Sequence, residues 1–193
     1  MSPLKINWMA LTCWLCLLLP LEGRSSSSSP EPLEVVEWVD LTRYVGKWYE
    51  IAKYPNRFQR RCISGTTATY SLRGDGGLDV LNQCFRDMEH QRLVRATGRA
   101  WVVDEETQAR LRVRFFWPFS GAYWVIDLDE DYQYVVVGEP RRRYLWILSR
   151  SPQLDSQVYE EILQRLPEKG YDPSLLELTP QWEAEKPETQ LTE

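Results

Sequence analysis

The chain has 193 residues and a formal net charge of −5, with one histidine and four cysteines. This length suffices for one domain with a substantial core. The acidic balance argues against nucleic-acid binding, and the single histidine, His90, excludes multi-histidine metal sites. Catalytic signals are poor, since no phosphate loop, dinucleotide fingerprint or Gly-x-Ser-x-Gly elbow occurs. No catalytic residue, cofactor or bound metal is therefore expected.

Residues 1–23 have the pattern of a secretory signal peptide. Lys5 supplies a short positive region, and the apolar run from Trp8 to Leu21 is shorter than the roughly 20 residues that a membrane-spanning helix needs. Cleavage is expected near Gly23, and residues 24–35, rich in serine and proline, are predicted to be a flexible tether. The mature chain is therefore expected to be exported.

The four cysteines form two pairs with different expected roles. Cys13 and Cys16 lie inside the apolar run, whereas a lipid-modified cysteine should follow it, so an anchor at either is the less favoured alternative. Cys62 and Cys84 are two cysteines of an exported domain, and a structural disulfide between them is predicted. Free thiols at these two positions are the other possibility.

Beyond the tether, short alternating or apolar runs separated by turn residues are typical of an antiparallel β protein. The clearest hairpin joins T-T-A-T-Y-S-L to L-D-V-L-N-Q-C through R-G-D-G-G, where glycines accommodate positive φ. Eight strands joined by short connections are predicted near residues 47–53, 65–72, 78–85, 93–102, 109–116, 122–128, 133–138 and 144–150.

A C-terminal helix is predicted between a cap at Asp155 or Ser156 and a stop near Gly170. Its apolar face comprises Val158, Ile162, Leu163 and Leu166. The segment S-L-L-E-L-T-P could add an edge strand, and residues 181–193 are predicted to be a disordered acidic tail.

Eight up-and-down strands must close or leave exposed edges, so we predict an all-β fold, an eight-stranded antiparallel barrel with the helix, over residues 36–180. An immunoglobulin-like sandwich is disfavoured because long crossovers are missing.

Three separated motifs make the chain resemble a lipocalin, more narrowly the bacterial lipocalin and apolipoprotein D group. They are G-K-W-Y-E-I-A-K-Y on the first strand, D-E-D-Y-Q-Y-V-V-V before the seventh and L-W-I-L-S-R-S-P at the end of the eighth. The resemblance runs from about Val39 to Pro180. It implies that five residues have structural roles at the closed end of the barrel, where Arg150 stacks on Trp48: Gly46, Trp48, Asp131, Tyr132 and Arg150.

Alternation from Trp48 predicts that Glu50 faces the inside, where a carboxylate is costly unless it is paired, hydrogen-bonded or protonated. It either bonds to nearby tyrosine hydroxyls, amides or water, or orients a polar ligand group. The other residues predicted to line the calyx are Ala52, Tyr54, Phe58, Thr67, Thr69, Val80, Val113, Phe115, Tyr123, Val125, Tyr134 and Trp146.

The opposite end should be the mouth. Phe116, Trp117 and Phe119 on one short loop indicate a ligand gate or a contact with lipid. Near them, Arg57 and residues 141–143 either meet a phosphate or carboxylate head group or form a solvated rim.

The resemblance implies a non-enzymatic carrier of small hydrophobic ligands, most simply fatty acids or lysophospholipids, acting in the cell envelope. The bacterial resemblance favours a periplasmic or secreted location, or association with the outer membrane. Peripheral membrane contact and a monomer or weak homodimer are further expectations. The alternatives are a protein-interaction module using the aromatic rim, a haem or tetrapyrrole binder using His90, and a lipid-directed enzyme of the kind that includes a prostaglandin synthase with a calyx thiol.

Overall fold

A computed structural model describes residues 31–89 and 91–181. The predicted signal peptide, most of the predicted tether and tail, Cys13, Cys16 and His90 lie outside these residues. The described strands are β1 Gly46–Lys53, β2 Ser64–Leu72, β3 Leu78–Phe85, β4 Leu93–Val102, β5 Arg110–Phe116, β6 Phe119–Leu128, β7 Tyr134–Gly138, β8 Leu145–Ser149 and β9 Glu177–Leu178. Helix α1 spans Leu41–Tyr44 and helix α2 spans Ser156–Arg165, and 3₁₀ turns follow at Pro167–Lys169 and Pro173–Leu175.

The first eight strands form a closed antiparallel barrel, which confirms the predicted fold. Each strand pairs with the next along the chain, and β1 pairs with both β2 and β8, so no edge of the barrel is left open. Strand β9 adds to the upper half of β1, with Ala52 opposite Leu178. The predicted edge strand is therefore present.

Helix α2 begins where the sequence predicted, because the Asp155 carboxylate accepts hydrogen bonds from the backbone of Gln157 and Val158. Gly170, with φ of 76°, closes the 3₁₀ turn that continues the helix. Ile162 and Leu166 pack on the outer face of β1, β6, β7 and β8. The outer wall on that side is consequently apolar.

Two packed clusters result, one inside the barrel and one under helix α2. The inner cluster includes Trp48, Leu111, Val125, Val135 and Val137. The cluster under the helix comprises outward-facing residues of the barrel, among them Ala52, Tyr54, Ile126, Val136 and Ile147.

A β-bulge between Glu50 and Ala52 reverses the faces of the upper half of β1. Glu50 pairs with Leu148 of the inner cluster, whereas Ala52 pairs with Ile147 under the helix. The prediction that Ala52 and Tyr54 line the calyx is therefore wrong, since the extra residue shifts the alternation by one. Lys53, opposite Trp146, takes the inward place instead.

Three further predicted lining residues face outward. Thr67 and Thr69 pair with Tyr49 and Lys47 of β1, on the face opposite Ala68 of the inner cluster. Tyr134 accepts a hydrogen bond from Arg165 of helix α2 at 2.9 Å. The strand holding Tyr134 is apolar on both faces because the helix covers its outside, so alternation carried no signal there.

Residues on both sides of the predicted domain, 36–180, also contact the barrel. Leu33, placed in the tether, is buried under helix α2, and the Val36 amide donates to the Val125 carbonyl at 3.1 Å. At the other end, the Gln181 side chain donates to the carbonyls of Glu50 and Thr66. Both terminal segments are thus tied to the barrel.

Cys62 and Cys84 form a disulfide, as predicted, with Cα atoms 5.4 Å apart and a sequence separation of 22. It fastens the β1–β2 loop to the end of β3. We expect the Cys62→Ala/Cys84→Ala variant to lose about 3 kcal/mol of unfolding free energy, because opening a loop of this length raises the entropy of the unfolded chain. Urea unfolding with and without reductant measures this. A wild-type midpoint that reductant leaves unchanged, with the bond shown to be reduced, would contradict it.

Candidate functional site

The closed end of the barrel is built around Trp48 and Arg150. The Arg150 guanidinium lies 3.7 Å from the centre of the fully buried Trp48 ring. Burial lowers the pKa of Arg150. The same guanidinium donates to four backbone carbonyls, those of Arg43, Tyr44, Lys47 and Tyr132. These contacts join α1, β1 and the β6–β7 turn.

Gly46 and the β6–β7 turn complete this end. Gly46 has φ of 99°, and a Cβ there would lie 3.2 Å from Arg150 Nη1, so this glycine makes room for the guanidinium. The Tyr132 hydroxyl accepts from the Asp40 amide at 2.8 Å. In the β6–β7 turn, the Asp129 carboxylate accepts hydrogen bonds from the backbone N–H groups of Asp131 and Gln133.

Seven predicted lining residues do face the inside: Glu50, Val80, Val113, Phe115, Tyr123, Val125 and Trp146. Val113, Phe115, Tyr123 and Trp146 remain partly exposed although they lie within a closed barrel. That residual exposure indicates open space between them. Their contact with a ligand stays a prediction.

Phe115 owes its position to a glycine on the neighbouring strand. A Cβ on Gly98 would lie 2.8 Å from the Phe115 ring and 2.8 Å from the Arg114 carbonyl. Such contacts are too short, so the ring can lie across β4 only because residue 98 has no side chain. Phe115 is therefore held across the inner wall.

Three tyrosine hydroxyls meet inside the barrel. Tyr123 lies between Tyr44 and Tyr70, with oxygen–oxygen distances of 2.6 and 2.8 Å. Burial raises the pKa of Tyr70 to about 12 and those of Tyr44 and Tyr123 well above the ordinary value. All three therefore stay protonated at physiological pH and supply hydroxyls rather than charge.

Glu50 lies in a buried polar network. Its carboxylate accepts hydrogen bonds from the Gln59 amide and, at 2.6 Å, from the Thr179 hydroxyl, and it lies 3.4 Å from the Lys53 ammonium. Gln59 also accepts from the Trp146 indole at 2.8 Å. The network ties β1 to the β1–β2 loop and to the segment after β9, and no tyrosine takes part in these bonds.

Burial raises the pKa of Glu50 above its ordinary value of 4.5, and the nearby Lys53 charge opposes that rise. The carboxylate is costly to bury and its oxygens already have protein partners. This arrangement of Glu50 fits a structural role.

The Asn82 Oδ1 atom is buried without a hydrogen-bond partner. Asn82 pairs with Ala68 of the inner cluster, which places its side chain on the inner face.

The aromatic residues predicted at the mouth are exposed. Phe116, Trp117 and Phe119 at the β5–β6 turn are 75%, 83% and 78% exposed. Phe58, predicted to line the calyx, lies instead on the β1–β2 loop beside Tyr144 and is 64% exposed. These side chains surround the open end, and they are exposed rather than packed into a core.

The arginines near the mouth are not equivalent. Arg142 is engaged by the fold, since it donates to the carbonyls of Lys169 and Glu31. Arg57, Arg141 and Arg143 are exposed, although Arg143 lies 3.9 Å from the Glu139 carboxylate. Head-group contact is therefore expected of these three rather than of Arg142.

Within residues 31–89 and 91–181, no group of three or more potential ligating side chains has the geometry to hold a metal ion. In the same part of the chain, every helix is too short or too polar to cross a membrane.

The barrel and its motifs agree with comparison to known proteins. Residues 39–181 match the family model described as a lipocalin-like domain. The chain belongs to the lipocalin family.

Related proteins come from several kingdoms. This lipocalin is 44% identical over 153 residues to the outer membrane lipoprotein Blc of Escherichia coli K12, with 78% of this chain and 84% of the relative covered. It is 40% identical over 157 residues to temperature-induced lipocalin-1 of Arabidopsis thaliana, covering 77% and 83%. Apolipoprotein D of Macaca fascicularis is 35% identical over 155 residues, covering 76% and 79%.

The fold itself recurs in a solved structure of low sequence identity. Insecticyanin from the tobacco hornworm Manduca sexta superposes with a TM-score of 0.63 at 20% identity, covering 81% of this chain and 86% of that one. At such identity the similarity concerns the barrel and carries no information on the ligand.

Several residues of the site had no signal in the sequence. Lys53, Gln59 and Thr179 join Glu50 only because the bulge, the first loop and the terminal segment converge. Tyr70 was missed because β2 was predicted with Thr67 and Thr69 inward, which turns Tyr70 outward. Tyr44 lies in helix α1, where period-two alternation does not apply.

Proposed function

We propose that this lipocalin binds and transports or stores small hydrophobic ligands without catalysis, and that fatty acids or lysophospholipids are the ligand class. The observation that carries the proposal is the set of apolar side chains that face the inside of a closed barrel yet stay partly exposed: Val113, Phe115, Tyr123 and Trp146. An acyl chain would remove this surface from water. Family membership supports the same general function.

The distribution of charge supports an amphiphile with an anionic head group. Arg57 and Arg141 are exposed at the mouth and suit a phosphate or carboxylate. Inside, the Lys53 ammonium is already paired with Glu50, so a buried anionic head group would find no free cation there. The acyl chain is therefore expected to enter first.

Two observations favour a carrier over an enzyme. The disulfide occupies Cys62 and Cys84, so neither supplies the thiol nucleophile that a calyx cysteine mechanism needs. Burial raises the pKa of the Tyr44 and Tyr123 hydroxyls, so at neutral pH they stay protonated and no phenolate is available as a general base.

The location and assembly state belong to the same proposal. The printed name of the Escherichia coli relative assigns that protein to the outer membrane, and the sequence here carries a signal-peptide pattern at its start. We infer export, to the periplasm or outside the cell, as a monomer or weak homodimer with peripheral membrane contact. Fractionation of the native source, followed by size-exclusion chromatography, tests both.

Native mass spectrometry of the purified chain, followed by solvent extraction of the bound material, tests the ligand. We expect adducts with the mass of a fatty acid or lysophospholipid. The Phe115→Arg variant should lose them, because the added charge occupies the inner wall beside Gly98.

Val103→Arg is the matched control, since Val103 directly follows β4 at the closed end of the barrel and is half exposed. It should retain the ligand. The proposal would be contradicted if the wild-type protein is empty and takes up no added lipid. It would also be contradicted if a folded Phe115→Arg variant binds lipid like the wild type.

A further inference from the structure

The open end of the barrel exposes large apolar side chains on three separate loops. They are Phe58 on the β1–β2 loop, Met88 on the β3–β4 loop, and Phe116, Trp117 and Phe119 around the β5–β6 turn, each more than half exposed. Soluble monomers rarely cluster so many, and such clusters mark contact with a protein or a membrane.

The loops at this end, the β7–β8 loop included, also concentrate positive charge on an acidic protein. Residues 54–63, 86–92, 139–144 and 167–173, the last of which contacts Tyr54 and Arg142, contain eight arginines and one lysine against five carboxylates, a formal net charge of +4. The segments at the closed end, residues 40–45, 73–77, 103–109, 129–133 and 150–155, contain three arginines against nine carboxylates, a net charge of −6. The barrel therefore carries a charge dipole along its axis.

A shallow groove connects this rim to the outer wall. It has a volume of about 390 Å³, and its lining includes Arg99, Arg114 and Trp117. Arg99 lies 3.9 Å from the Asp79 carboxylate, which also lines the groove and offsets part of its positive charge. The groove thus presents guanidinium groups directly beside the most exposed aromatic side chain of the rim.

We propose that the open end docks on an anionic lipid bilayer, with the Trp117 loop in the interfacial region and the surrounding arginines on head-group phosphates. The dipole turns the mouth toward a negative surface during approach. Tryptophan favours the membrane interface, and guanidinium groups match phosphate oxygens. Docking would let a lipid pass between the bilayer and the calyx, and in this respect the inference rests on the proposed function.

A bilayer fits these observations better than a protein partner. The exposed apolar side chains and the arginines are spread over separate loops of the open end, rather than forming one apolar core with a polar rim as in protein interfaces. A planar, uniformly charged surface contacts all the loops at once without requiring shape complementarity to each.

Flotation with vesicles tests the docking. We expect binding to phosphatidylcholine vesicles that contain phosphatidylglycerol, little binding to phosphatidylcholine alone, and weaker binding at high salt. Trp117→Ala/Phe119→Ala should weaken binding by about tenfold or more, and Arg141→Gln/Arg143→Gln should weaken it on anionic vesicles. Trp38→Ala, half exposed outside the rim, and Lys47→Gln, near the closed end, are the controls that should bind like the wild type.

The outcomes separate docking from ligand binding. The Phe115→Arg variant, whose calyx is blocked, should still float with anionic vesicles, and Trp117→Ala/Phe119→Ala should still hold ligand in the mass spectrum. Absence of vesicle binding, equal binding to both vesicle types, or wild-type binding by the folded rim variants would overturn the docking proposal. An empty calyx in a protein that binds vesicles would overturn the proposed function alone.

Discussion

Replacing Trp48 with alanine is expected to lower the free energy of unfolding by about 3–5 kcal/mol. Its side chain is fully buried in the inner cluster, and its indole N–H donates to the Tyr44 carbonyl at 2.8 Å. The substitution leaves a large cavity and removes the ring on which Arg150 stacks. Chemical denaturation at neutral pH measures the effect, which should also lower Tm by roughly 10 °C.

Trp117→Ala makes the same chemical change on the exposed rim, where the side chain is 83% exposed. It should change stability by less than about 0.5 kcal/mol. Equal losses in the two variants would contradict the role assigned to Trp48 as the packed base of the barrel.

The Lys53→Met variant is expected to lose about 3–5 kcal/mol at neutral pH, because it leaves the Glu50 carboxylate buried without its cation. The loss should shrink as the pH falls. Burial already raises the pKa of Glu50, and Lys53 is the leading influence that opposes the rise. Without Lys53 the carboxyl therefore protonates at a still higher pH in the folded state.

The sign of the pH dependence follows from linkage. A carboxyl whose pKa is higher in the folded state than in the unfolded state contributes stability that is present below its ordinary pKa of 4.5 and is lost as the pH rises through the folded value. Unfolding free energies of the wild type and the variant should therefore converge toward acidic pH.

Adding Glu50→Gln to the Lys53→Met variant provides the control. Glutamine keeps the shape and a hydrogen-bonding oxygen but cannot ionise. The double variant should recover much of the loss at neutral pH and show less pH dependence than Lys53→Met. A single variant whose destabilisation is independent of pH, or a double variant with an additive loss, would show that the ion pair is unimportant to the fold.

The sequence by itself determined the architecture because its signals are local. Turn residues and short apolar runs marked eight strands, with the predicted bounds differing by up to three residues, as at the start of β6. The spacing of Val158, Ile162 and Leu166 marked the helix, and Asp155 its cap. The Gly-x-Trp motif and the arginine after β8 identified the closed end.

Alternation predicted seven of the inward-facing side chains, but only the tertiary structure decided where the alternation breaks. The bulge after Glu50 places Lys53 inside and turns Ala52 and Tyr54 under helix α2. A bulge adds one residue to a strand whose composition is otherwise unchanged, so periodicity cannot reveal it. The helix made both faces of β7 apolar and removed the alternation that would have assigned Tyr134. The partners of Glu50 come from segments up to 129 residues away, and only chain closure brings them together.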